Sequence, residues 1–169
     1  MAKIKKLPSS EIYQIEAMIP SWDEQTFEVS TKSPYRILAV RPDMSLHELG
    51  LAVLSAFKFD YDHLFGFYEN FNNPLKSKVS YEIMEDTYEE DDEFIVLDSS
   101  APVTLNMDDY VVADIFIRKG KRWLMLFDYG EAWHFWLKFI GKEYIIPNKS
   151  YPYILKSKYK APSQYPDDY

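Results

Sequence analysis

Five consecutive apolar residues, Trp123, Leu124, Met125, Leu126 and Phe127, run into Asp128-Tyr129-Gly130-Glu131-Ala132 and then into an alternating segment. A strand that is apolar on both sides has to be covered on both faces, so this run belongs at the centre of a sheet. Gly130 and the surrounding polar residues make the link a turn. Beyond it, Trp133, Phe135, Leu137 and Phe139 share one face at the two-residue period of a strand, and His134, Trp136 and Lys138 share the other. The result is a hairpin whose second strand has one greasy side and one mixed, aromatic-rich side. It also carries two acids and one of only three histidines among rings. Ionisable groups in such surroundings are costly unless paired.

The remaining segments give this hairpin its neighbours. Residues 12–19 alternate apolar and polar, residues 26–29 suit a short strand, and residues 35–40 form a strand that Pro42 stops. Ser45-Leu46-His47-Glu48 has the spacing of a capping box, and Leu46, Leu49, Val53, Leu54 and Phe57 recur at helical intervals behind it. Residues 63–68 read as a strand, with residues 78–83 as its hairpin partner across an Asn/Pro turn. Leu105-Asn106-Met107-Asp108-Asp109 resembles a capped helix start, which predicts a second helix as far as Arg118-Lys119 and a stop at Gly120. The β-branched interior of that segment leaves a strand as the alternative. The order ββαββαββ predicts a single α+β domain, with a mixed or mostly antiparallel sheet of about six strands and two main helices. Residues 1–10 read as a basic tail, 11–146 as the domain, and 147–169 as a Pro/Tyr/Lys-rich extended tail laid over it.

Composition limits the function classes. The chain has 169 residues, enough for one self-sufficient core, and 47% of them are hydrophobic. With no cysteine, disulfides, thiol nucleophiles and thiolate zinc sites are excluded. Pro8-Ser9-Ser10 interrupts the place where a signal peptide needs an apolar core, and no apolar run is long enough for a membrane helix. A soluble, cytoplasmic protein is expected. The net charge of −8 disfavours nucleic acid as a partner. Residues 85–93 hold seven acids, without the alternating acid spacing and glycine of a calcium loop, and read as a solvated loop.

Several motifs together resemble the plasmid pRiA4b ORF-3-like family. They are Tyr35-Arg36, Leu46-His47-Glu48-Leu49, Phe59-Asp60-Tyr61-Asp62-His63-Leu64, the hairpin Phe127-Asp128-Tyr129-Gly130-Glu131-Ala132-Trp133-His134, and the proline-rich end from Tyr151-Pro152 to Ala161-Pro162. The likeness runs from about residue 11 to 168, and the hairpin is its specific part. Tyr35 and Phe59 stand where the family pattern has tryptophan. The resemblance implies an α+β fold and brings no established activity. Some members are labelled as passenger proteins of insertion elements, which implies an association with mobile elements and names no chemistry.

The acids and histidines read foremost as a satisfied polar knot that pins the hairpin and the helix start together, and beside it stand two functional readings. In the first, the chain is a non-catalytic binding or interaction module for a protein or small molecule. It needs no cofactor and presents Tyr129, Trp136 and His134. In the second it is a metal-dependent hydrolase. His47, His63, His134 and Asp128 would then be ligands for a divalent metal, and Asp128, Glu131 and His134 the catalytic candidates. No spacing among them is that of a metal motif. Gly-x-Ser-x-Gly does not occur, and five glycines supply no phosphate-cradling loop.

Overall fold

The computed structural model describes residues 10–85 and 100–166. Most of the acidic run 85–93 lies outside those residues, as does nearly all of the basic stretch 1–10. One sheet of eight strands organises the molecule: β1 (Glu11–Met18), β2 (Tyr35–Val40), β3 (Phe65–Tyr68), β4 (Val79–Glu82), β5 (Val103–Asn106), β6 (Arg122–Phe127), β7 (Trp133–Tyr144) and β8 (Tyr153–Lys158). Their spatial order is β5-β4-β3-β6-β7-β1-β2-β8. Only β4 and β5 pair in parallel; every other neighbouring pair is antiparallel. Among the described residues the two α-helices are α1 (Leu46–Ala56) and α2 (Val112–Ile115).

The apolar run becomes β6, flanked by β3 and β7 near the middle of the sheet and buried from Trp123 to Phe127. Its two faces feed two clusters. On one face Phe65, Phe67, Met125, Phe127, Phe135 and Leu137 join the main core, and α1 packs over them. On the other, Tyr68, Leu124 and Leu126 form a smaller cluster against which Phe71 and Trp136 lie. The two sides of β7 therefore separate as the alternation predicts.

Helix α1 starts where the sequence places it. The Ser45 side chain accepts from the Glu48 amide at 3.1 Å, and the Glu48 carboxylate accepts from the Ser45 amide at 3.0 Å. Leu46, Leu49, Val53 and Leu54 are buried on the sheet side. Gly50 lies in the same stripe because a Cβ there would overlap the Phe65 ring. This close approach brings the helix down onto β3.

The sheet has two more strands than the expected six, and both additions come from weakly patterned segments. β5 occupies the start of the expected second helix. Asn106 then accepts from the Asp108 amide and caps a single 3-10 turn, Met107–Asp109, and α2 is one turn long. The β-branched residues of 111–117 lose side-chain freedom in a helix, and the helix does not extend to Arg118-Lys119. β8 lies in the expected extended tail and pairs with β2 at the far edge. Its residues are mostly exposed, so it carries no hydrophobic period to be read. Residues 26–29 make only an isolated bridge, Trp22 with Val29, and β3 begins at Phe65, leaving His63 in the loop before it.

Candidate functional site

The three histidines occupy three different settings. His47, in the first turn of α1, places Nδ1 2.9 Å from the Asp108 carboxylate, and its Nε2 is 3.5 Å from the Tyr61 hydroxyl. His63, in the loop before β3, places Nδ1 2.9 Å from Asp62 and 3.5 Å from Asp128. The hydrogen bond with Asp62, more than the charge of Asp128, holds the His63 pKa above its ordinary value. His134 lies on the opposite face of the sheet from α1, and burial pushes its pKa down. Among the described residues, no three His, Asp or Glu side chains come together as a metal site requires.

The hairpin acids differ from one another as well. Asp128 is buried, and its Oδ1 accepts from the amides of Gly130 at 3.1 Å and Glu131 at 3.3 Å. These bonds tie down a turn in which Asp128 and Ala132 both have left-handed backbones, φ 55° in each. Asp128 thus shapes the turn and reaches towards His63 with its other oxygen. Glu131 is exposed and stands on the rim of a groove together with His134.

Tyr129 belongs to a separate chain of hydroxyls. Tyr68 donates to Glu82 at 2.6 Å, and the Tyr68 and Tyr129 oxygens are 2.7 Å apart. Tyr68 has one proton and gives it to Glu82, so Tyr129 donates to Tyr68. Burial, then the bond to Glu82, raises the Tyr68 pKa steeply. Gly66 lies under both hydroxyls, and a Cβ there would sit 2.8 Å from one and 2.9 Å from the other.

The groove beside β7 brings the remaining candidates together. It has a volume of about 890 Å³, and its walls include Trp22, Phe71, Arg122, Glu131, Trp133, His134, Trp136 and Pro166. Small-molecule sites fall in the range of about 300–1,000 Å³. Trp136 forms the hub. Phe71 meets it edge-on at 5.6 Å and Trp22 at 6.5 Å. The Arg122 guanidinium lies 4.6 Å from the Phe71 centroid and 5.2 Å from that of Trp136. No carboxylate among the described residues pairs with it.

The indole nitrogens of Trp133 and Trp136 are both buried and have no acceptor among the described residues. Each unmade bond of this kind costs about 1–3 kcal/mol. Trp123, by contrast, donates to the Ile115 carbonyl at 3.0 Å and is satisfied. A second hollow beside α1, of about 560 Å³, contains Arg41, but that cation is already paired with Asp43 at 3.0 Å.

Sequence reasoning finds Trp136, His134 and Glu131 but not Trp22, Phe71, Arg122 or Pro166. Arg122 was within reach of it. Pairing Phe127 with Trp133 across the turn puts Leu124 opposite Trp136 and Arg122 one step along the same face. Trp22, Phe71 and Pro166 arrive from loops after β1 and β3 and from the chain's end, and no local pattern marks them.

Fold and groove together define a class: an α+β protein with an eight-stranded mixed sheet, a helix on one face, and on the other an aromatic groove whose arginine has no carboxylate partner among the described residues. The model of the family described as plasmid pRiA4b ORF-3-like protein matches residues 26–168, and the chain belongs to that family. A solved protein of unknown function, MM3350 from Methanosarcina mazei Go1, is similar in structure. The TM-score is 0.64 at 16% identity, over 89% of this chain and 71% of that one. At that identity the likeness speaks for the fold alone. No curated protein matches the chain.

Proposed function

We propose that this protein is a binding module whose groove on the open face of the sheet, centred on Trp136, receives a small ligand with a ring and hydrogen-bond acceptors. The observation that carries this reading is the buried indole N–H of Trp136, at the hub of the groove, which has no acceptor among the described residues. Unsatisfied buried donors are uncommon in folded proteins and call for a partner. Everything else in the wall suits the same occupant. Trp22 is 62% exposed and offers an unused aromatic face, and Arg122 supplies further donors. A hydrolytic reading built on His47, His63, His134 and Asp128 would need these groups to converge; His63 and Asp128 meet at 3.5 Å, while His47 and His134 lie in other settings and give it no support.

The four tryptophans provide the test, because each gives its own indole N–H signal in a nitrogen–proton correlation spectrum. Ring compounds carrying acceptors, added at millimolar concentration, are expected to move the Trp133 and Trp136 signals and to leave Trp123 in place. Trp22→Ala, a change at an exposed site, is expected to weaken the effect without altering the fold. If no such compound moves either groove signal, the groove is not a binding site.

A further inference from the structure

The chemistry of the groove narrows its ligand further, and this step rests on the binding reading above. Arg122 is always charged and presents a planar fork of donors that matches a carboxylate in two parallel bonds. Here the guanidinium lies 4.6 Å from the Phe71 centroid and 5.2 Å from that of Trp136, with no carboxylate among the described residues to receive it. Lys138 sits directly opposite Arg122 in the β6–β7 register, with Glu16 opposite it on the β1 side, so Arg122 is the cation the groove itself supplies. Among the described residues, Glu131 is the one carboxylate in the wall. Beyond the fork lie Trp22 and Trp136, whose rings suit a flat apolar body.

Charge sets an upper limit on what the groove takes. One lining guanidinium can form one ion pair, while the lining glutamate and a chain of net charge −8 disfavour any further negative charge on the ligand. Nucleoside di- and triphosphates need clustered cations or a backbone cradle, and the groove has neither. A neutral acceptor takes a hydrogen bond from the guanidinium but forgoes the stronger bidentate ion pair that a carboxylate makes. We propose that the groove binds a small planar aromatic monocarboxylate, its ring packed on Trp22 and Trp136 and its carboxylate received by Arg122. An acceptor oxygen in the groove can then satisfy the indole N–H of Trp136.

The experiment uses 2-naphthoate, its neutral counterpart 2-naphthamide, and adenosine monophosphate, titrated by calorimetry and followed by the indole signals. A fragment of about 13 non-hydrogen atoms is expected to bind at about 1 mM or tighter. The carboxylate is expected to bind about tenfold tighter than the amide, and Arg122→Gln to erase that preference while the Trp123 signal stays fixed. Arg122→Lys, which keeps the charge and loses the fork, is expected to fall between.

Equal binding of carboxylate and amide at the groove would overturn the ligand class and leave the groove standing. Tighter binding of the monophosphate would overturn the class in favour of a phosphate. Silence from all three compounds at Trp133 and Trp136 would sink the ligand class and the binding reading together. The comparison of the two naphthalene compounds on the unaltered protein decides the class even if an Arg122 variant fails to fold.

Discussion

Two histidines in this molecule respond to pH with opposite signs, and the reason lies within a few ångströms of each. His63 shares a proton-stabilising hydrogen bond with Asp62, so its folded pKa lies above 6.5. Its contribution to stability is fully present below pH 6.5 and is lost as pH rises through the raised value. His134 has burial as its dominant influence, and its folded pKa lies below 6.5. The folded protein is therefore at no disadvantage from His134 above pH 6.5, and it loses stability as pH falls from there through the lowered value. Titration of the ring C–H signals is expected to give a midpoint above 6.5 for His63 and below it for His134. Asp62→Asn is expected to bring the His63 midpoint down and leave that of His134 unmoved. A His63 midpoint unchanged in that variant would show that Asp62 is not the partner that matters. The sequence shows Asp62 beside His63, and the effect of that adjacency is readable. The burial of His134 is not, since it depends on groove walls supplied by distant loops.

At the scale of elements, β8 is held by more than its ladder, and Arg36 is the reason. Its side chain is buried. Nε donates to the Ala56 carbonyl at the end of α1 at 3.1 Å, and one terminal nitrogen donates to Tyr35, Lys158 and Tyr159 carbonyls at 2.9–3.2 Å. The guanidinium also covers the Phe57 ring at 4.7 Å. One residue of β2 thus joins the helix end, the edge strand and the residue that leaves it. Arg36→Met keeps most of the volume and removes every donor, leaving carbonyls unpaired. It is expected to destabilise the protein by about 3 kcal/mol in urea unfolding, because charged hydrogen bonds contribute about 1.5–3 kcal/mol each and are not additive. A loss under about 1 kcal/mol would mean that water replaces the clamp. The sequence alone places β1, β2, α1, β6 and β7 because each carries its own period or cap. It misplaces β5 and β8 because their side chains are largely exposed, and an edge strand without a buried face leaves no period to find.

On the scale of the whole molecule, the chain's end is structural rather than appended. β8 adds the outermost strand beside β2. Further on, Gln164 accepts from the Asp60 amide at 2.7 Å and donates to the Asp60 carbonyl and the Asp62 carboxylate, both at 3.1 Å. Two residues later Pro166 lines the groove. The last stretch thus fastens the loop that carries His63 and completes a wall of the site on the other side of the sheet. These two roles separate in two truncations. Removal of residues 147–169 takes away β8, bares the β2 edge and strips Arg36 of two acceptors, and it is expected to abolish cooperative thermal unfolding or drive aggregation. Removal of residues 160–169 keeps β8 and the carbonyl of Tyr159, so a cooperative transition is expected to survive at a lower midpoint. In that shorter deletion the His63 environment changes through Asp62, and the groove opens where Pro166 stood. The indole signals of Trp133 and Trp136 are expected to shift while that of Trp123 holds. If the 147–169 deletion melts as the full chain does, β8 contributes nothing to the fold. If the 160–169 deletion leaves the groove signals unmoved, Pro166 is no part of the site.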